Sequence, residues 1–365
     1  MATTIGLPSL TITFQAAAQA AANRSKKGYV GVFVRDSKAQ GVHQLSSAAL
    51  IPTELGAENQ AYLKRAFTGS DRGGPSKVVA VVIAPGTEDT EALEAGLKLI
   101  ESMSLDYLAP PPDVTAGEKT VLETWVKMRR ENYFTEKLVE PSAATPPDEM
   151  GVINFDETTL REGSASYTAA QYASRIAGIL AGIPMGMSCT YAALPELTEV
   201  TARTAEEQAA AVNAGKLILL HDGVKAKIAR GVNSLTTIPA DGKADWSKIK
   251  IVEGMDLITY YLRTTIQDEY IGRYANTYDN KCVLVTAVTE YLTYLERAGV
   301  LSAGESWCEL DVEAQERWLK SQGVETAGLT EQEIKEYQTG SWVFLRAGGR
   351  LADAMEDFQV VFNNL

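Results

Sequence analysis

Histidine is nearly absent from this chain: His43 and His221 are the only two among 365 residues. That scarcity leaves little material for His-rich metal sites or for histidine-based acid–base catalysis. Cysteine is scarce as well. Cys189, Cys282 and Cys308 are odd in number, far apart, and form no C-x-x-C. They read as small hydrophobes of a reducing cytoplasm, not as a disulfide or metal framework. Positive charge is in deficit, with 34 Lys and Arg against 47 Asp and Glu and a net charge of -13. Phosphate contacts need clustered Lys and Arg, so this balance argues against a nucleic-acid or anionic-membrane partner. No run reaches the roughly 18–20 apolar residues of a membrane span. Met1 to Leu10 has neither the basic nor the apolar region of a signal peptide.

What is present is ordinary globular material, 45% hydrophobic and 22% charged with 29 Gly and 13 Pro. The length suits two or three domains with a normal core. Motifs that would carry chemistry are incomplete. Gly186-Met187-Ser188-Cys189-Thr190 matches G-x-S-x-G except for its last glycine, which the strained nucleophile turn needs; Ser188 reads better as a cap. Gly215-Lys216-Leu217 lacks the upstream Gly and the Ser/Thr of a phosphate loop, and no dinucleotide fingerprint is found. His221-Asp222-Gly223 reads as a hydrogen-bonding turn, and His43 lies in a polar loop. The acidic clusters Glu309–Glu313 and Glu331–Glu336 lack the order of a calcium loop and read as solvated faces. No cofactor or metal is expected.

Period-two alternation predicts a strand at Leu10, Ile12 and Phe14, and further strands at 29–35 and 77–84. Helical spacing follows at 88–102, a short strand at 105–108, and a helix at 115–131. The stretch 140–150 reads as a loop and 151–155 as a strand. Helices are expected at 168–181, ended by Gly182-Ile183-Pro184, and at 204–213, where Thr204 and Glu207 form a capping box and Gly215 is the stop. Residues 217–220 and 224–229 read as a hairpin. Short apolar strands alternating with helices imply a parallel or mixed sheet covered by helices. From about residue 241 the character changes: a strand at 249–252, helices at 257–274 and 281–298, a strand at 307–312, helices at 313–321 and 330–337, and final strands at 341–346 and 357–362. In the last of these, Phe358, Val360 and Phe362 alternate with Gln359 and Val361.

The run Ala229-Arg230-Gly231-Val232-Asn233-Ser234-Leu235-Thr236-Thr237 has no catalytic content. It is followed by Lys248-Ile249-Lys250-Ile251-Val252 and by Tyr270-Ile271-Gly272-Arg273-Tyr274-Ala275-Asn276. In this order the segments resemble the sheath proteins of contractile phage tails and R-type bacteriocins. Residues 172–188, YASRIAGILAGIPMGMS, fit the same family, as do Asp256-Leu257-Ile258, Asp279-Asn280-Lys281-Cys282 and Asp353-Ala354-Met355-Glu356-Asp357. The resemblance covers most of the chain and is closest to short, diffocin-like sheaths.

That resemblance implies a non-catalytic, subtilisin-like α/β domain over 23–245 and a smaller α+β domain facing an inner tube over 246–352. It also implies extended arms at 1–22 and 353–365. The expected function is a structural subunit of stacked hexameric rings around a tail tube, contracting from a metastable extended state. Leu10, Ile12, Phe14, Phe358, Val360 and Phe362 would form strands exchanged with neighbouring subunits. Arg263, Arg273, Lys281 and Arg297 are the candidate tube contacts. Expected partners are other sheath subunits, the tube protein, and baseplate and terminator proteins. The expected setting is assembly in a bacterial cytoplasm into a phage tail or tail-like particle. A soluble α/β hydrolase-like enzyme is the alternative from the residues alone.

Overall fold

A computed structural model describes residues 28–86, 90–143, 147–240 and 242–363; the strand expected at Leu10, Ile12 and Phe14 lies outside them. The first part of the chain runs β1 (Tyr29–Arg35), β2 (Gly41–Leu45), α1 (Ala57–Phe67), β3 (Lys77–Ile83), α2 (Glu91–Ile100), β4 (Tyr107–Ala109), α3 (Ala116–Glu131), β5 (Lys137–Pro141) and β6 (Val152–Phe155). It continues with β7 (Leu160–Glu162), β8 (Ala165–Tyr167), α4 (Ala169–Gly182), β9 (Ala193–Leu194), β10 (Glu199–Val200), α5 (Ala205–Asn213), β11 (Lys216–Leu217), β12 (Leu219–His221) and β13 (Ala226–Ile228).

Seven strands form one sheet in the order β11-β6-β5-β4-β1-β3-β2. All neighbours are parallel except β2, which runs antiparallel on β3. Because both faces are covered, the central strands are buried throughout, as continuous Val-rich runs require. Val30, Val32 and Val34 join Tyr62, Leu63, Tyr172 and Ile176 on the α1–α4 side. Phe33 joins Leu93, Leu97, Leu122 and Trp125 on the α2–α3 side. Helix starts are written locally. Thr115, Thr168 and Thr204 each complete a reciprocal capping box with Glu118, Gln171 and Glu207, which satisfies two orphan N–H groups per helix. Gly178 lets α4 lie against α1: a Cβ there would sit 1.9 Å from the Ala66 carbonyl oxygen.

The remaining elements are α6 (Ile249–Thr265), α7 (Tyr278–Arg297), β14 (Trp307–Leu310), α8 (Val312–Ser321), α9 (Glu331–Glu336) and β15 (Leu345–Gly348). The described residues fall into two compact units, residues 28–253 with 353–363, and Gly254–Ala352. In the second unit, Leu284, Val288, Leu292 and Leu295 form the buried stripe of α7. There β14 and β15 pair antiparallel as a ribbon of two strands.

Several expectations need correction: His43 lies in strand β2 and not in a loop, and the strand expected at 341–346 is β15, Leu345–Gly348. Residues 249–252 are the first turn of α6, not a strand. Residues 249–252 and 254–259 are all buried, so the segment carries no one-sided period, and a short apolar run of that kind cannot be told from a strand by pattern alone. The α6 helix ends at Thr265 and passes into a π-helical turn, Ile266–Tyr270, so it stops short of residue 274. Residues 137–141, half assigned to a loop, form strand β5; its buried Lys137 and Glu140 concealed it. Residues 357–362, expected to pair with a neighbouring subunit, have no strand partner among the described residues.

Candidate functional site

The segments that carry no recognisable chemistry converge on one place, the root of the C-terminal segment. The turn after α4 presents Ser188 and Thr190, whose hydroxyls stand 2.7 and 2.6 Å from the Glu356 Oε1 atom. Thr190 Oγ1 also accepts the Gly231 N–H at 2.9 Å. This bond ties the turn to the run 229–237. From that run, Arg230 Nε donates to Glu356 Oε2 at 3.1 Å. Its two terminal nitrogens grip the Asp357 carboxylate at 3.2 and 2.5 Å. Lys248 pairs with Asp353 and lies 3.8 Å from Glu356 Oε2.

The body side of this clamp is fixed. Gly231 O accepts the Ile249 N–H, and Val232 forms a bridge with Lys248. The Asn233 side chain is fully buried; its Nδ2 donates to Trp246 O and its Oδ1 accepts the Leu235 N–H. Asp148 accepts the N–H groups of Thr236 and Thr237; the Thr237 hydroxyl first, and then these N–H groups, hold its carboxyl well below the ordinary range. Glycine is required at 231, because a Cβ would stand 2.5 Å from Cys189 Sγ.

Magnitudes say which contact dominates. The Glu356 side chain is 7% exposed and Asp357 is 79% exposed. Hydrogen bonds to a charged, desolvated group contribute about 1.5–3 kcal/mol each, against about 0–1 kcal/mol for an exposed pair. Glu356 is therefore the anchor and Asp357 a secondary contact. The fork from Arg230 holds the Asp357 carboxyl below its usual range and raises the guanidinium pKa. Lys250, buried nearby, has its amine pushed down by desolvation, which Asp353 and Glu356 oppose.

Past the anchor the chain turns to solvent. Phe358, Val360, Val361 and Phe362 are 75, 83, 76 and 86% exposed. A folded chain that spends its apolar side chains this way presents a surface meant to be covered.

No catalytic constellation assembles around the residues singled out for chemistry. Ser188 faces Glu356, not an imidazole. The His43 ring nitrogen Nε2 bonds Ala39 O, and His221 Nδ1 accepts the Gly223 N–H inside its own turn. Among the described residues no group of three or more His, Cys, Asp and Glu could hold a metal, and no helix is long and apolar enough to cross a membrane.

Of the four candidate tube contacts, two are buried. Lys281 is 3% exposed and bonds Gln315 Oε1 and Thr339 Oγ1 at 3.3 and 3.2 Å; Arg263 is 8% exposed. Their stripe positions on the two helices turn inward, so neither presents a surface charge. Arg273 and Arg297 are exposed. The clamp itself was missed as a site. Its signal was four polar phrases with no catalytic task, and sequence alone did not bring them together.

The comparisons with known proteins agree on one family. Residues 241–330 match the model of the phage tail sheath C-terminal domain. The chain is 35% identical over 356 residues to the tail sheath protein of Clostridium phage phiCD119, covering 97% of this chain and 98% of that one. Its fold is similar to the contracted helical sheath of the anti-feeding prophage, with TM-score 0.68, 15% identity and 99% of each chain covered. It is also similar to a sheath tail protein from Desulfitobacterium hafniense, with TM-score 0.65, 15% identity, and 83% and 94% of the two chains covered.

Proposed function

The chain belongs to the tail sheath proteins, and from that membership we propose that it polymerises as stacked hexameric rings around an inner tube and contracts from a metastable extended packing to a tighter one. Its role is mechanical. The setting is a phage tail or tail-like particle, assembled in the bacterial cytoplasm, with tube, baseplate and terminator proteins as partners. The parallel-sheet unit is the subtilisin-like sheath core in this reading, and the unit with α7 and β14–β15 faces the tube through Arg273 and Arg297.

The observation that carries the proposal is the exposed segment 358–362 on a fixed root. An unpaired apolar strand in water is an aggregation hazard unless another sheet takes it. Strand addition supplies main-chain bonds and pockets for alternate side chains, here Phe358, Val360 and Phe362. The acceptor in a neighbouring subunit is its β14–β15 ribbon, since two strands alone are marginally stable. Four or five main-chain bonds at about 0.5–1.5 kcal/mol each hold such a link while other interfaces change. Leu10, Ile12 and Phe14 act as the second exchanged strand.

Deleting residues 358–365, or separately residues 1–16, tests this by negative-stain electron microscopy. The full chain forms tubes or rings and both truncations yield dispersed folded particles. Tubes of normal appearance from either truncation sink the strand-exchange reading, and a full chain that stays a small monodisperse particle sinks the sheath reading.

A further inference from the structure

The way the C-terminal segment is fastened differs along its length. Through residue 352 the chain is held by main-chain bonds: Ser302 N–H donates to Arg350 O, and Ala352 N–H donates to Val300 O. Beyond that, among the described residues, no main-chain pairing continues. Residues 353–357 are held by carboxylates alone, Asp353 on Lys248, Glu356 on Ser188, Thr190 and Arg230, and Asp357 on Arg230. Met355, the one large apolar side chain between them, is 87% exposed. Ala354 is half-buried, and no large apolar side chain anchors these five residues to the body. The segment beyond them, 358–362, is apolar, with no charge from Phe358 to Phe362.

These two halves answer to different forces. Ion pairs weaken as salt screens them, most where the partners are exposed; apolar strand contacts do not weaken with salt and strengthen in some salts. Salt that opens the clamp therefore leaves an apolar strand contact in place. We propose that residues 353–357 are a reserve length of chain, held folded against the body by the Arg230–Lys248–Ser188–Thr190 clamp and released as a unit when it opens. Release moves the first fixed residue from Asp357 back to Ala352. Five residues at about 3.3–3.6 Å each set an upper bound of about 17 Å on the chain set free. This proposal rests on the sheath reading for its purpose: the link between subunits lengthens during contraction without unzipping the exchanged strand. Glu356 is the positioning residue of the device, and its two hydroxyl partners and Arg230 set the force at which it yields.

The release itself is testable on the unassembled full chain, so its outcome is independent of whether sheaths form. Glutamyl endopeptidase can cut after Glu356 only when the 353–357 segment leaves the body. The readout is the rate at which the peptide of residues 357–365 appears by mass spectrometry, normalised to cleavage of a free peptide of residues 350–365. Between about 0.1 M and about 1 M salt the screening length drops from about 10 to about 3 Å; this weakens the exposed pairs of Asp353 and Asp357 more than the buried Glu356 contacts, and the normalised rate rises about three- to fivefold. Arg230→Gln cuts fast at both salt concentrations, and Ser188→Ala with Thr190→Val does so in part. A normalised rate that salt leaves unchanged, or an Arg230→Gln protein cut no faster than the native chain at low salt, overturns the proposal. In assembled tubes, Arg230→Gln still polymerises and contracts at a lower denaturant concentration than the native chain. Contraction at an unchanged threshold overturns the reserve-length role while leaving the strand-exchange reading intact.

Discussion

Glu140 offers a prediction with its magnitude set by the fold. Its side chain is 2% exposed at the end of β5, its neighbour in register on β6 is Asn154, and its Oε2 and the Asn154 Nδ2 are without hydrogen-bond partners. Burial, followed by the facing Glu123 carboxyl on α3, raises its pKa from 4.5 to about 8, against a smaller opposing pull from Lys119. The folded pKa is above the unfolded one, so protonation favours the fold. The stabilisation is complete below about pH 4.5 and is lost as pH rises to about 8. Over that pH range, at about 1.36 kcal/mol per pH unit, the loss has a ceiling of about 5 kcal/mol. Water entry brings the expected loss to about 2–4 kcal/mol, a large fraction of a domain's net stability. Denaturant unfolding at pH 5 and pH 9 measures it. The native protein loses this stability between the two, and Glu140→Gln, which stays neutral, loses about 1 kcal/mol or less. Equal losses in the two proteins would refute the reasoning, and so would Glu140→Gln being the less stable at pH 9.

Other consequences are as specific. Gly178→Val places side-chain atoms where a Cβ already meets the Ala66 carbonyl at 1.9 Å; the α1–α4 contact has to open, costing about 3 kcal/mol or more, and thermal unfolding shifts down by several degrees. Gly231→Ala meets Cys189 Sγ at 2.5 Å and displaces Arg230 and Thr190 together, so it speeds glutamyl endopeptidase release of residues 357–365 with little change in global unfolding. Lys281 has only neutral oxygen partners and an amine pKa lowered by burial. Its fold therefore gains stability as pH rises toward the ordinary lysine range, and Lys281→Met removes that rise in unfolding curves taken from neutral pH to about pH 10.

Much of the α/β unit was legible because its signals are local. Strands β1 and β3 are uninterrupted apolar runs, and the Thr115, Thr168 and Thr204 boxes mark their helices within one residue. Where a signal depended on partners, the reading faltered. Lys137 and Glu140 look like loop residues until their strand is seen beneath α3. Ile249 and Ile251 look like a strand because their buried run has no one-sided period, yet they open α6. Alternation at Phe358, Val360 and Phe362 reports a strand-forming sequence, yet the partner edge is missing from the chain's own described residues. The clamp is the extreme case: Ser188 and Glu356 are 168 positions apart, and only the fold could join them.

The central claim is that a C-terminal strand of one subunit completes the β14–β15 ribbon of another. A reconstruction of tubes assembled from the full chain tests it most directly. The account predicts main-chain pairing of residues 358–362 with the ribbon of an adjacent subunit, with Phe358, Val360 and Phe362 on one face. A segment that folds back to pair within its own subunit, or that stays unpaired in a complete tube, contradicts it.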